Sequence, residues 1–139
     1  MNSAELESQL DQLIFKNHIM LNYQQLETCD PDIAVIDAHN NRAIIINTNY
    51  EQSISPLFRK AHELGHHLTT DFNGAELYHF SSSLKNKYEV TANIAGVEIL
   101  AKILFNDVPK EYRNWKDFMD YFNLPSHFEL TVKRIIYDF

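Results

Sequence analysis

The sequence is short of the residues that staple, break or bend a chain. It has one cysteine in 139 residues, Cys29, so no internal disulfide can form, and a reducing compartment suits it. Only three glycines and four prolines are present, which excludes collagen-like and low-complexity architectures. No apolar run is long enough to span a bilayer, and Met1 to Leu10 carries acidic residues where a signal peptide would be basic and then apolar. Positive charge is also scarce: 12 Lys and Arg stand against 19 Asp and Glu, giving a net charge of -7. A general nucleic-acid binder would normally need a basic face. Lys133 and Arg134, on the last helical segment, are too few to supply one, so direct nucleic-acid binding is not expected. The expectation is a cytoplasmic protein, free of membrane, folded as a single domain over 1–139.

Hydrophobic residues make up 45%, enough for a core of ordinary size. They are concentrated in helical and strand patterns. Leu6, Leu10, Leu13 and Ile14 recur at helical spacing after Ser3, a possible cap. Three short runs with strand character follow, Ile19–Tyr23, Ile33–Asp37 and Ala43–Asn47. The turn-rich link Ala38-His39-Asn40-Asn41-Arg42 suits a hairpin between the last two. The fold class is therefore α+β, mostly helical, with a short antiparallel sheet of about three strands ahead of the next helix.

That helix carries the chemistry. Ser55-Pro56 reads as a cap followed by proline at the first helical position, a turn and a half before His62-Glu63-Leu64-Gly65-His66. In an H-E-x-x-H helix the histidines four apart lie on one face and can share a metal ion. Glu63 is turned about 100° from His62, beside the metal, where a general base can take a proton from an attacking water. Leu57, Ala61, Leu64 and Leu68 make an apolar face next to this polar one. His67 points about 100° away from His66 and reads as a polar-face residue.

A second long helix is expected from about Leu84 to Phe105, after a polar stretch. On it Glu89, Ala92, Asn93, Gly96, Ile99, Leu100 and Ile103 share a face, with Thr91, Glu98 and Lys102 opposite. A carboxylate on an apolar face needs a partner or a metal, so Glu89 is the third ligand, with Asn93 placed to support the site. Glu76 and His79, from the intervening stretch, are the rivals, and Asp71 falls where the motif helix is ending. The extended motif with a third histidine is excluded, because Thr69 and Phe72 stand where glycine and histidine would be required. Two of the three glycines, Gly65 and Gly96, fall inside the two helices, which suggests a close crossing there. The C-terminal third reads as two helices. One opens at Val108-Pro109 and carries Tyr112, Trp115, Phe118, Met119 and Phe122; the other starts with a Ser126 to Glu129 capping box.

Two stretches, R-K-A-H-E-L-G-H-H from Arg59 to His67 and E-V-T-A-N-I-A-G-V-E-I-L from Glu89 to Leu100, resemble the ImmA/IrrE family of small zinc metallopeptidases. The strand Ala43–Asn47 and the segment Tyr121–Pro125 are similar too. Ala95-Gly96 and Lys102 depart from the usual Phe-Ala and proline of the second motif. The resemblance implies a zincin-like (gluzincin) domain binding one Zn²⁺ through His62, His66 and Glu89, with Glu63 as catalytic base. It further implies an endopeptidase of narrow specificity that cleaves a helix-turn-helix transcriptional repressor of a phage, mobile element or stress response. The other reading is an anti-repressor that sequesters its partner without cutting it, with zinc as a structural staple. The aromatic C-terminal helices, with Tyr112, Trp115, Tyr121 and Tyr137, are the expected docking surface for the protein partner.

Overall fold

The computed structural model describes residues 1–69 and 82–139. Asp71, Phe72, Glu76 and His79 lie outside the described residues. Helix α1 (Ser3–Lys16) leads into strands β1 (Ile19–Gln24), β2 (Ile33–Ile36) and β3 (Arg42–Asn47). Helices α2 (Pro56–Thr69), α3 (Ser82–Phe105), α4 (Trp115–Phe122) and α5 (Glu129–Ile136) follow. None of the helices described is long and apolar enough to cross a membrane.

The fold is α+β as expected, but the sheet is mixed, not antiparallel. Its order is β1-β3-β2: β2 pairs antiparallel with β3, and β1 pairs parallel with β3, Ile19 opposite Arg42 and Gln24 opposite Asn47. The hairpin is closed by Asp37, whose carboxylate accepts from the backbone N–H groups of His39 and Asn41, with Asn40 in the left-handed region. That turn seats β2 on one edge of β3 and leaves the other edge to β1. A parallel neighbour needs a long connection, and the segment between β1 and β2 supplies it. Fully buried Asn47 holds this loop. Its amide donates to the carbonyls of Glu27 and Asp30, and its Oδ1 accepts from Leu26 N–H and Asn49 N–H.

Leu6, Leu10 and Ile14 of α1 pack into a common core with Ile44, Leu64, Val97, Leu100, Phe118, Phe122 and Ile136. Caps and breaks differ locally from the sequence expectations. Asn2, not Ser3, caps α1, accepting from Glu5 N–H at 2.9 Å. Ser55 does cap α2, accepting from Leu57 N–H at 3.2 Å. The expected helix from Val108 is divided into a 3₁₀ turn at Lys110–Tyr112 and α4, which Asn114 caps. Arg113 causes the break: it is buried and extended, and it donates to the carbonyls of Val108, Ile136 and Phe139. Ser126–Phe128 is also a 3₁₀ turn, so α5 begins only at Glu129 and no capping box forms.

Of the four aromatics expected to form a docking surface, Tyr112, Tyr121 and Tyr137 are exposed. Trp115 is half-buried under the Lys133 ammonium, 4.3 Å from the ring centroid. Tyr121 and Tyr137 spend their hydroxyls on Ser3 and on the Arg113 carbonyl.

Candidate metal centre

Helices α2 and α3 cross at their glycines. A Cβ on Gly65 would stand 2.8 Å from the Ala92 carbonyl oxygen, and one on Gly96 would stand 3.3 Å from His62 N. A Cβ on Gly65 would force the helices apart, and one on Gly96 would require its neighbours to give by a few tenths of an ångström. The expected close approach is present, and it brings Glu89 over the two histidines.

His62 Nε2 lies 2.9 Å from Glu89 Oε2, and His66 Nε2 lies 3.0 Å from Glu89 Oε1. The ligand atoms of the three residues fall within 4.8 Å of one another. His66 is buried, while His62 and Glu89 are half-buried, open on one side. Two imidazole nitrogens and a carboxylate oxygen, one from each residue and all within 4.8 Å of one another, make a group that could hold a metal ion. Asn93, one turn beyond Glu89, has its Oδ1 2.7 Å from His62 Nδ1. An N–H at Nδ1 donating to this oxygen leaves the Nε2 lone pair for a metal.

The protonation balance of the cluster has a physical cause at each group. Burial alone would lift the Glu89 carboxyl, but hydrogen bonds from His62 and His66 outweigh it and hold the group well below the usual range. Burial opposes the His62 imidazolium, yet the Glu89 hydrogen bond and the charges of Glu63 and Glu89 raise its pKa. Glu63 is 7% exposed and 3.9 Å from His62 Nε2. Burial pushes its carboxyl up to about 8, His62 opposing and Glu89 adding to the rise. A cation at the cluster would draw it back toward ionisation.

Other residues of α2 differ from their expected roles. His67 is not on a wet face: it is buried, with Nε2 2.8 Å from the Ala43 carbonyl, and burial lowers its pKa. Arg42 of β3 donates back to the His67 carbonyl, so the end of the motif helix is tied to the sheet. Leu68 is 48% exposed and lies off the apolar face, where Ala61 and Leu64 are fully buried. On α3, Glu98 and Lys102 are exposed as expected, but Val97 and Ala101 are fully buried too. That helix packs against α1 and α5 as well as α2. A helix with neighbours on several sides loses the one-sided pattern that a surface helix shows.

Two cations of α2 that sequence reasoning missed tie the motif helix to its neighbours. Lys60, in the middle of α2, is only 2% exposed and pairs with Asp11 at 2.8 Å and Glu7 at 3.3 Å on α1. Arg59 pairs with buried Asp32 at 3.0 Å, and Asp32 accepts from Asn47 N–H at 2.8 Å. The sole hint in the chain was two adjacent cations ahead of the motif; nothing local named their partners.

A cleft of about 580 Å³ opens beside the cluster. Pro31 to Ala34, Tyr50, Ile54 and Phe58 line it together with the histidines, Glu63, Glu89 and Asn93. The centre thus combines three metal donors, an adjacent buried carboxyl and room for a ligand of several residues. Compared with protein-family models, curated proteins and solved structures, the chain matches none.

Proposed function

We propose that this chain is a zinc-dependent endopeptidase of narrow specificity. The observation that carries the reading is Glu63. A purely structural metal site has no use for a buried carboxyl beside its ligands, whereas hydrolysis needs a base there. Zinc is the ion we assign, because two imidazoles and one carboxylate suit it and leave a fourth position open. When bound, it would supply a Lewis acid that acidifies water and polarises a carbonyl. His62, His66 and Glu89 would hold the ion. Asn93 keeps the His62 ring in the tautomer and orientation that ligation requires. Glu63 takes the proton of the attacking water and delivers it to the leaving amine.

The substrate would enter extended. Strand β2 borders the cleft through Ile33 and Ala34, and its outer side carries no strand partner among the described residues. A peptide can add to such an edge with main-chain hydrogen bonds. The resemblance to the ImmA/IrrE family makes a helix-turn-helix repressor the substrate we favour. Selectivity would come from docking outside the cleft, with exposed Tyr112, Tyr121 and Tyr137 as the aromatic anchors.

The test uses zinc-loaded protein, the repressor encoded nearest its gene, and casein. The expected result is cleavage of the repressor at one or two sites with casein left intact. Glu63→Gln should keep its zinc and its grip on the repressor and lose cleavage. Repressor inactivation that survives Glu63→Gln would favour sequestration over hydrolysis.

A further inference from the structure

The cleft has one cationic side chain among its described lining residues, Arg59. It sits one turn before Glu63 on α2, and residues four apart on a helix are neighbours. Its guanidinium is braced from several sides. Nε lies 3.0 Å from Asp32 Oδ2, Nη2 donates to the Asn47 carbonyl at 3.3 Å, and the group lies over the Tyr50 ring, 5.2 Å from the centroid. Asp32 is committed as well, its other oxygen accepting from Asn47 N–H. Nη1 of Arg59 has no acceptor among the described residues. A planar donor already fixed at this many points loses little freedom on taking a ligand. Around it the cleft wall is apolar, formed by Ile33, Ala34, Ile54 and Phe58.

Resting on the peptidase reading, we infer that Arg59 positions the substrate. Its Nη1 donates to a main-chain carbonyl of an extended segment, and Ile33, Ile54 and Phe58 take an apolar side chain beside it. One helical turn is about 5.4 Å and an extended residue about 3.3 Å. The carbonyl therefore lies one to two residues from the bond at the metal centre. A neutral carbonyl is the acceptor rather than an acidic side chain, because Asp32, Glu63 and Glu89 already line the cleft. An added carboxylate would face Asp32 and Glu89 even in Glu63→Gln protein. The substrate class is an unfolded segment with Leu, Ile, Met or Phe next to its scissile bond.

The experiment uses fluorescein-labelled decapeptides, identical except for Leu, Gly or Asp at the apolar position. Their binding to zinc-loaded Glu63→Gln protein is followed by anisotropy. Leu should bind at least tenfold more tightly than Gly, and Asp more weakly still. Ile54→Asp should erase the preference. Arg59→Lys, checked for unchanged zinc content and melting, should weaken Leu and Gly peptides by the same factor, about five- to twentyfold. A thioamide at the contacted carbonyl should weaken binding to the Arg59 protein and have little further effect on Arg59→Lys. Equal binding of Leu and Gly peptides would overturn the apolar subsite. A thioamide without effect at both carbonyls would overturn the role of Arg59, even if Arg59→Lys fails to fold. Failure of the peptidase reading looks different: wild-type protein would leave every peptide uncut while the binding preference persisted.

Discussion

Replacing Gly65 with alanine tests whether the helix crossing sets the geometry of the metal centre. The new Cβ would lie 2.8 Å from the Ala92 carbonyl oxygen and 3.0 Å from Ala95 Cβ. Comfortable contacts of this kind begin near 3.5 Å, so α2 and α3 must part by roughly 0.5 Å. Alanine recovers about 0.8–1.0 kcal/mol of helix propensity. Overpacking a close crossing costs about 1–3 kcal/mol. The net change is a loss of about 0–2 kcal/mol in the metal-free protein. The displacement also reaches the ligands, because His66 is the next residue and Glu89 lies one turn before Ala92. Metal–ligand distances tolerate about 0.2 Å, so zinc affinity should fall tenfold or more. Gly96→Ala is the internal control. Its Cβ would stand 3.3–3.4 Å from His62 and Phe58, a gap that small shifts can open. It should cost less stability and less zinc affinity than Gly65→Ala, because its nearest contact, His62 N, is 0.5 Å further away than the Ala92 oxygen is from a Cβ on Gly65. Thermal unfolding with chelator present and a competition titration against a chromophoric zinc chelator supply both readouts. A Gly65→Ala protein that melts at or above wild type with full zinc affinity would refute the reasoning.

Two further outcomes follow from the buried charges. Metal-free Glu63 keeps its proton up to about pH 8, whereas in the unfolded chain it releases it near the ordinary glutamate value of 4.5. Its raised pKa therefore makes stability fall as pH rises between those values, by at most about 1.4 kcal/mol per pH unit. Glu63→Gln should flatten that slope in urea unfolding at pH 5, 6.5 and 8; parallel curves would show that Glu63 does not titrate there. Glu89, depressed, acts in the opposite direction and only below about the ordinary glutamate value of 4.5, so the two windows stay apart. Lys60 is buried, but its partners Glu7 and Asp11 are half-exposed. Lys60→Met should therefore cost about 1 kcal/mol or less, and Lys60→Ala roughly 2–3 kcal/mol through lost packing. Equal losses in denaturant midpoints would mean the ion pairs, not the aliphatic stem, carry the contribution.

Sequence by itself determined what is set within a few turns of chain. Ser55-Pro56 start α2 because a cap and a proline act on neighbouring N–H groups. His62, Glu63 and His66 share a helical side through spacing alone, and Glu89 stood out as a charge on an apolar stripe. Gly65 and Gly96 marked the crossing, since a small residue inside a helix has little other use. Only the tertiary structure decided which distant groups meet. The direction of β1 was invisible, because a strand's alternation is the same whether its neighbour runs parallel or antiparallel. The break at Arg113 depends on carbonyls more than twenty residues away in the C-terminal turn. His67 is buried because β3 offers the Ala43 carbonyl, and Lys60 because α1 brings Glu7 and Asp11. His67 is polar, so helical periodicity assigned it to water, and nothing in the pattern singled out Lys60. The burial of either is favourable only once a partner arrives from another element, and no local pattern encodes that arrival.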